Sequence, residues 1–204
     1  VDEKPIIVAV VEDSRMILYA QHAGQPIFCK EALIGGSDLT HEIAEAYGVP
    51  VEEAERINAG HAFVLTERQK TTASQDQLKF SEVVASVVKR IFSEVKQANL
   101  TCRNLTHHHP VKIYVSGPTT LIPGFRSAFQ EEMKISVFPL QALSALQVGG
   151  VPYSEAVDAS YLLAAATALC LTGPERSKAI DFRKGEFSKK RSKEGSAEDR
   201  GSRF

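Results

Sequence analysis

Two glycines seven positions apart mark a loop whose residue types could bind a phosphate. The segment YVSGPTTLIPGF (114–125) leaves an apolar run at Gly117, and Gly124 stands where the next helix should begin. Glycine allows a close backbone approach to a ligand, and the free N–H groups of a helix N-terminus favour an anion. A tight turn without a ligand is the favoured interpretation, because no Lys followed by Ser or Thr completes a phosphate-cradling loop.

Carboxylates and histidines cluster at two other places. Glu52, Glu53 and Glu55 are close in sequence, but two catalytic carboxylates would need a defined cleft, and the pattern favours a solvated helix face. The run 107–109 consists of three histidines before Pro110, without the i, i+4 spacing of a helical metal site. We therefore predict an exposed loop there, no metal site and no catalytic residue in the chain.

Composition is that of an ordinary soluble protein. Of the 204 residues, 43 % are hydrophobic and 24 % are charged, and a formal net charge of −1 gives no indication of a nucleic-acid partner. Three widely spaced cysteines suggest neither a disulfide framework nor a zinc site, which fits a reducing compartment. Cys29 and Cys170 lie in apolar runs, so we predict that both are core residues.

Hydrophobic patterning predicts an α/β fold with a mixed sheet. Three strands with short turns, near 6–33, form an antiparallel meander, and Gly35-Gly36 ends it. Two short helices follow. A long helix is then expected over 78–98, between loops at 66–77 and 102–110. A strand, a helix, a second strand and a buried helix complete the order. We divide the chain into a core (1–33 and 71–175), a helical insertion (34–70) and a polar tail (176–204).

The tail carries a positive charge. Residues 183–204 contain eight Lys or Arg and four Asp or Glu, a net of +4. So few apolar residues cannot order a segment, and we predict that the tail is disordered. It is either a solvated terminus or a juxtamembrane segment whose basic residues stay on the cytoplasmic side. Because the chain begins with Val, we also expect it to be a piece of a longer protein.

Three segments resemble the actin-like ATPase superfamily, in particular the second half of the type IV pilus protein PilM and its type II secretion relative GspL. The segment ALIGGSDLTHEIAEAYGVPVEEAERIN (32–58) is similar to a segment of PilM and GspL. In those proteins an IGG-x-x-x-T sequence leads into a helix and is followed by EEAE. VSGPTTLIPGF (115–125) is similar to the superfamily's adenosine loop. AIDFRKGEF (179–187) resembles the motif that precedes the GspL transmembrane helix. The resemblance implies an actin-like (ribonuclease H-like) layered domain.

Two departures from the superfamily pattern count against nucleotide chemistry. The first strand turn is Val11-Glu12-Asp13-Ser14 rather than Asp-x-Gly, so it lacks the glycine that admits a phosphate and adds two carboxylates that repel one. Pro118 replaces a second glycine of the adenosine loop and removes an N–H donor. We therefore predict no cofactor and no ATP hydrolysis.

The resemblance implies a scaffold in the cytoplasmic part of an inner-membrane assembly platform. The expected partners are a GspE-like assembly ATPase and membrane proteins similar to GspM, GspF or PilN, with a homodimer also possible. For partner binding we name Glu52, Glu53, Glu55 and Arg56. The alternative is a nucleotide-binding ATPase or switch, whose degenerate loops would use Asp13, Gly117, Pro118, Thr119 and Gly124. A soluble PilM-like ring protein, without a following membrane helix, is a third possibility.

Overall fold

The chain begins with the predicted antiparallel meander. The computed structural model describes residues 4–141 and 154–172. Strands β1 (Ile6–Val11), β2 (Met16–His22) and β3 (Gln25–Ala32) are rich in β-branched and aromatic residues. Ala23 and Gly24 join β2 to β3 with positive φ angles of 49° and 77°, which is the backbone geometry of a tight hairpin turn.

Two parallel strands complete the mixed sheet. Strands β4 (Lys112–Ser116) and β5 (Ser136–Pro139) extend the order to β3-β2-β1-β4-β5. Strand β1 pairs antiparallel with β2 and parallel with β4, and β4 pairs parallel with β5. The predicted mixed α/β layering is therefore confirmed. The carboxyl ends of β1 and β4 lie side by side, so the loops that follow them are neighbours.

Helix α4 (Gln75–Thr106) is longer than the sequence suggested. It begins at Ser74, whose hydroxyl accepts from the backbone N–H of Gln77 at 3.3 Å, and it ends at His107 in a left-handed conformation. The prediction of a loop from residue 102 was wrong over 102–106, because the apolar stripe continues from Ala98 to the fully buried Cys102. Residues 66–77 likewise contain the short helix α3 (Glu67–Lys70) and the start of α4.

The core lies where α4 crosses the first three strands and meets α5 (Phe125–Met133). Val84, Val87, Ile91 and Val95 of α4 are buried there. The rings of Phe92 and Phe129 stack with centroids 4.4 Å apart. The prediction of Cys29 as a core residue was wrong, because it lies exposed on the edge strand β3. The side chain of Cys170 lies outside the described residues.

The insertion is a hairpin of helices α1 (Gly36–Tyr47) and α2 (Val51–His61). Leu39 and Ile43 of α1 are fully buried and belong to the same core as the sheet and α4. Asp38 and Arg90 form an ion pair of 3.4 Å between α1 and α4. The insertion is therefore fixed to the rest of the domain by packing and by this ion pair.

The last helix described is α6 (Glu155–Thr172), which confirms the predicted position of a helix. The prediction that this helix is buried was wrong in part, because Ala159 and Leu162 are buried while Tyr161 is 60 % exposed. Its Glu155 pairs with Arg126 of α5 at 3.2 Å. Within residues 4–141 and 154–172, none of the helices combines the length and apolar character needed to span a bilayer. The polar tail 176–204 and its segment 179–187 lie outside the described residues.

Candidate binding cleft

A cleft of about 1060 Å³ opens between the helical insertion and the loop that follows β4. Asp13 contributes from the β1–β2 turn, Glu55 and Asn58 from α2, and Pro118 and Thr119 from the loop after β4. The structure thus brings three residues of the predicted nucleotide loops together with one residue of the predicted partner surface. Leu39, Val51, Phe63, Leu121, Ile122 and Pro123 supply apolar walls.

Carbonyl groups of the β1–β2 turn accept hydrogen bonds from N–H groups at the N-terminus of helix α1. The carbonyl of Glu12 accepts from the N–H of Gly36 at 3.1 Å, and the carbonyl of Asp13 accepts from the N–H of Ser37 at 2.8 Å. The N–H of Gly35 donates to the carboxylate of Asp38 at 2.9 Å. These are three of the four N–H groups that a helix N-terminus could offer to an anion, and protein acceptors occupy these three.

The two glycines that start α1 are explained by this close approach. A Cβ at Gly35 would lie 2.4 Å from the carbonyl oxygens of both Glu12 and Asp13. A Cβ at Gly36 would lie 3.2 Å from Oγ1 of Thr119 and 3.3 Å from Oδ1 of Asp13. A Cβ at Gly36 would therefore crowd both the carboxylate of Asp13 and the hydroxyl of Thr119, which lie beside the first turn of α1.

The glycines of the loop after β4 have a similar structural role. Gly117 has φ 98°, and a Cβ there would lie 2.2 Å from the carbonyl oxygen of Val11. A Cβ at Gly124, which precedes α5, would lie 1.8 Å from the carbonyl oxygen of Val64. The N–H of Val64 also donates to the carbonyl of Pro123 at 2.8 Å. Backbone packing thus accounts for both glycines, and the 62–65 segment covers the start of α5.

Asn58 joins the two helices of the insertion. Its side-chain amide nitrogen donates to the carbonyl of Gly36 and to Oγ1 of Thr40, each at 3.1 Å. Sequence reasoning did not select Asn58, although a signal existed. It lies four residues after the buried Ala54 on a helix, so it is a polar residue on the packed face of α2.

The other predicted partner-binding residues lie away from the cleft. Glu52, Glu53 and Arg56 are exposed on α2, and only Glu55 of that group lines the cleft. Ser37, His41 and His61 also line it and were not predicted. The three histidines 107–109 are exposed at the end of α4. In the described part of the chain, no three His, Cys, Asp or Glu side chains form a cluster that could hold a metal ion.

Comparison with protein families identifies the chain's relatives. The model of the family described as type IV pilus assembly protein PilM matches residues 2–172. The chain belongs to this PilM family. The predicted resemblance to PilM is thereby confirmed. No curated protein matches the chain.

Solved structures support the same fold. A PilM-PilN type IV pilus biogenesis complex superposes with a TM-score of 0.62 at 16 % identity, over 84 % of this chain and 46 % of that one. MreB5 of Spiroplasma citri bound to AMPPNP gives a TM-score of 0.56 at 12 % identity, over 86 % of this chain and 55 % of that one. This PilM-family chain therefore spans about half the length of these neighbours, and it has the actin-like fold.

Proposed function

We propose that this chain is a non-catalytic docking module of a pilus or secretion assembly platform. In this role it binds a GspE-like assembly ATPase and connects it to inner-membrane components, among them a PilN-like protein. Membership of the PilM family supports the pilus context, and the PilM-PilN complex motivates the choice of a PilN-like partner. A cytoplasmic position at the inner membrane and a homodimer belong to the same proposal.

The observation that carries the proposal is the occupied N-terminus of α1. A nucleotide phosphate needs backbone N–H donors, yet those of Gly35, Gly36 and Ser37 already donate to Asp38, Glu12 and Asp13. Opening that site would break three hydrogen bonds. It would also place a phosphate beside the carboxylate of Asp13, where like charges repel. A fold in which three of these donors are already used can still present rigid surfaces to partners.

The exposed face of α2 is the first surface to test for the assembly ATPase. Glu52 and Glu53 are both exposed there and precede the exposed Arg56. Double charge reversal, Glu52→Lys with Glu53→Lys, should weaken capture of the ATPase by full-length protein about tenfold, because like-charge juxtaposition at an interface is costly. Glu82→Lys, an exposed change on α4, is the matched control.

Nucleotide chemistry is tested separately on the full-length protein. Isothermal titration with Mg-ATP and a phosphate-release assay should show neither micromolar binding nor turnover. Turnover would overturn the non-catalytic assignment. Micromolar binding without turnover would favour the alternative, a nucleotide-dependent switch, which the volume of the cleft makes the second candidate. Unchanged ATPase capture by the double variant would instead exclude the outer face of α2 as the docking surface.

A further inference from the structure

The cleft has a consistent polar chemistry, in which internal bonds occupy the hydrogen-bond donors of its hydroxyl and amide side chains. The hydroxyls of Ser37 and Thr119 donate to the carbonyls of Asp13 and Glu12 at 2.9 and 3.4 Å. The hydroxyl of Thr40 donates to a carbonyl within α1 at 3.5 Å.

The amide and one imidazole of the cleft follow the same pattern. Both N–H groups of the Asn58 amide are used in its two bonds to α1, which leaves Oδ1 as an acceptor. Nδ1 of His41 lies 2.7 Å from the carbonyl of Ser37 and must carry the hydrogen of that bond. In the neutral ring, Nε2 is therefore an acceptor as well.

The charged side chains of the cleft also favour a ligand that donates hydrogen bonds and carries a positive charge. Asp13 and Glu55 are the two acidic residues that line the cleft, one from the β1–β2 turn and one from α2. A nucleotide phosphate would meet two like charges here, and the hydroxyl and amide donors of the cleft are already used. A cationic group with several N–H donors would find acceptors and opposite charges instead.

The apolar walls further restrict the class of ligand that would fit the cleft. Val51 and Phe63 line the cleft on the insertion side and Ile122 on the other. Such walls suit the methylene stem of a long basic side chain. A planar guanidinium can also stack on an aromatic ring and donate to several separated acceptors, which a compact ammonium does less well.

We infer that the cleft receives an arginine side chain carried by a segment of a partner protein. The cleft lies between the insertion and the loop after β4, and its two carboxylates give it the polarity opposite to that required by a phosphate. This inference rests on the proposed docking function, since it names the chemistry of one partner contact.

The experiment uses full-length, ¹⁵N-labelled protein and the peptide acetyl-Leu-Arg-Leu-amide as the probe. The same peptide with citrulline in place of arginine is the neutral control of equal shape. We expect the arginine peptide to shift backbone amide signals of residues 36–41, 55–63 and 117–122. The citrulline peptide should bind at least fivefold more weakly, the effect of losing about 1 kcal/mol of charge interaction.

Variants locate the binding site. Asp13→Asn and Glu55→Gln should each weaken binding of the arginine peptide about threefold to fivefold, whereas Glu82→Gln, an exposed position on α4 outside the cleft, should not. Thermal unfolding confirms that each variant is folded. A lysine peptide that binds as tightly as the arginine peptide would overturn the choice of arginine.

Three further results would overturn the inference: no binding of the arginine peptide, equal binding of the citrulline peptide, or equal weakening by Glu82→Gln. These outcomes are distinguishable from failure of the proposed function. ATP turnover together with arginine binding would refute the non-catalytic role alone. Absence of turnover together with absence of arginine binding would refute the cleft assignment alone.

Discussion

Asn58 of α2 donates both hydrogens of its side-chain amide to α1, one to the carbonyl of Gly36 and one to Oγ1 of Thr40, each at 3.1 Å. The bond to Gly36 reaches the same residue whose N–H is held by the carbonyl of Glu12. Asn58 thus links the insertion helix to the turn after β1 through a single residue of α1. The shape of the cleft depends on this connection.

We predict that Asn58→Ala lowers the free energy of unfolding by about 1–2 kcal/mol, because two half-buried hydrogen bonds are lost. Asn58→Asp should lower the free energy of unfolding at least as much at neutral pH, since it places a carboxylate against the carbonyl of Gly36. Urea unfolding measures both. Arg56→Ala, on the exposed side of α2, should stay within about 0.5 kcal/mol. A similar cost for Arg56→Ala and Asn58→Ala would contradict the role of the amide.

Gly117→Ala tests whether backbone packing explains the loop after β4. The substitution combines φ 98° with a Cβ only 2.2 Å from the carbonyl oxygen of Val11, so we expect a loss of more than about 2 kcal/mol in urea unfolding. Gly48→Ala is the matched control, because Gly48 has φ 62° but open space around a Cβ. Gly48→Ala should lower the free energy of unfolding by about 1 kcal/mol, because only the left-handed backbone conformation disfavours alanine there. Equal costs at the two positions would show that the Val11 contact is unimportant.

The fold was more predictable from the sequence than the cleft. The spacing of apolar residues in Ile6–Val11 and in α4 predicts that both are buried. Three segments that resemble family motifs indicate the superfamily. The bonds that close the N-terminus of α1 use the carbonyls of Glu12 and Asp13. Any residue has such a carbonyl, so residue types at those positions carried no signal for it.

The wrong predictions have a local origin. The end of α4 was placed too early because Asn and Thr near residues 99–106 have low helix propensity, while the burial of Cys102 against the core outweighs it. Cys29 was assigned to the core because its neighbours are apolar. It lies on an edge strand, where one face of the sheet remains open to solvent.

The two cysteines whose side chains are described should differ sharply in reactivity. Burial raises the pKa of the Cys102 thiol above its usual value, against a smaller lowering by its hydrogen bond with Thr106, so little thiolate forms. Cys29 is exposed. Iodoacetamide at about pH 8 should modify Cys29 within minutes and Cys102 only after unfolding in urea, with the sites assigned by peptide mass spectrometry. Rapid modification of Cys102 in the folded protein would contradict its burial.

The ion pair between Glu132 of α5 and Lys96 of α4 should make a small contribution to stability that depends on pH. The hydrogen bond from Lys96, followed by the charge of Lys96, lowers the pKa of Glu132 below its usual value. A lowered folded-state pKa means that the contribution is present above the unfolded value and disappears as the pH falls through the folded value. Glu132→Gln should therefore cost about 0.2–1 kcal/mol near pH 7, and the difference from wild type should shrink toward zero on acidification below about pH 4.

Urea unfolding across this pH range provides the measurement. About 1 M NaCl should also reduce the stability difference between Glu132→Gln and the wild type, because both side chains of the pair are nearly half exposed and are screened by salt. Glu131→Gln is the control, since the neighbouring Glu131 makes no ion pair with any residue in the ranges 4–141 and 154–172. A cost for Glu132→Gln that grows on acidification would have the wrong sign for a carboxylate stabilised in its charged form. It would show that the contact between α4 and α5 depends on something other than this pair.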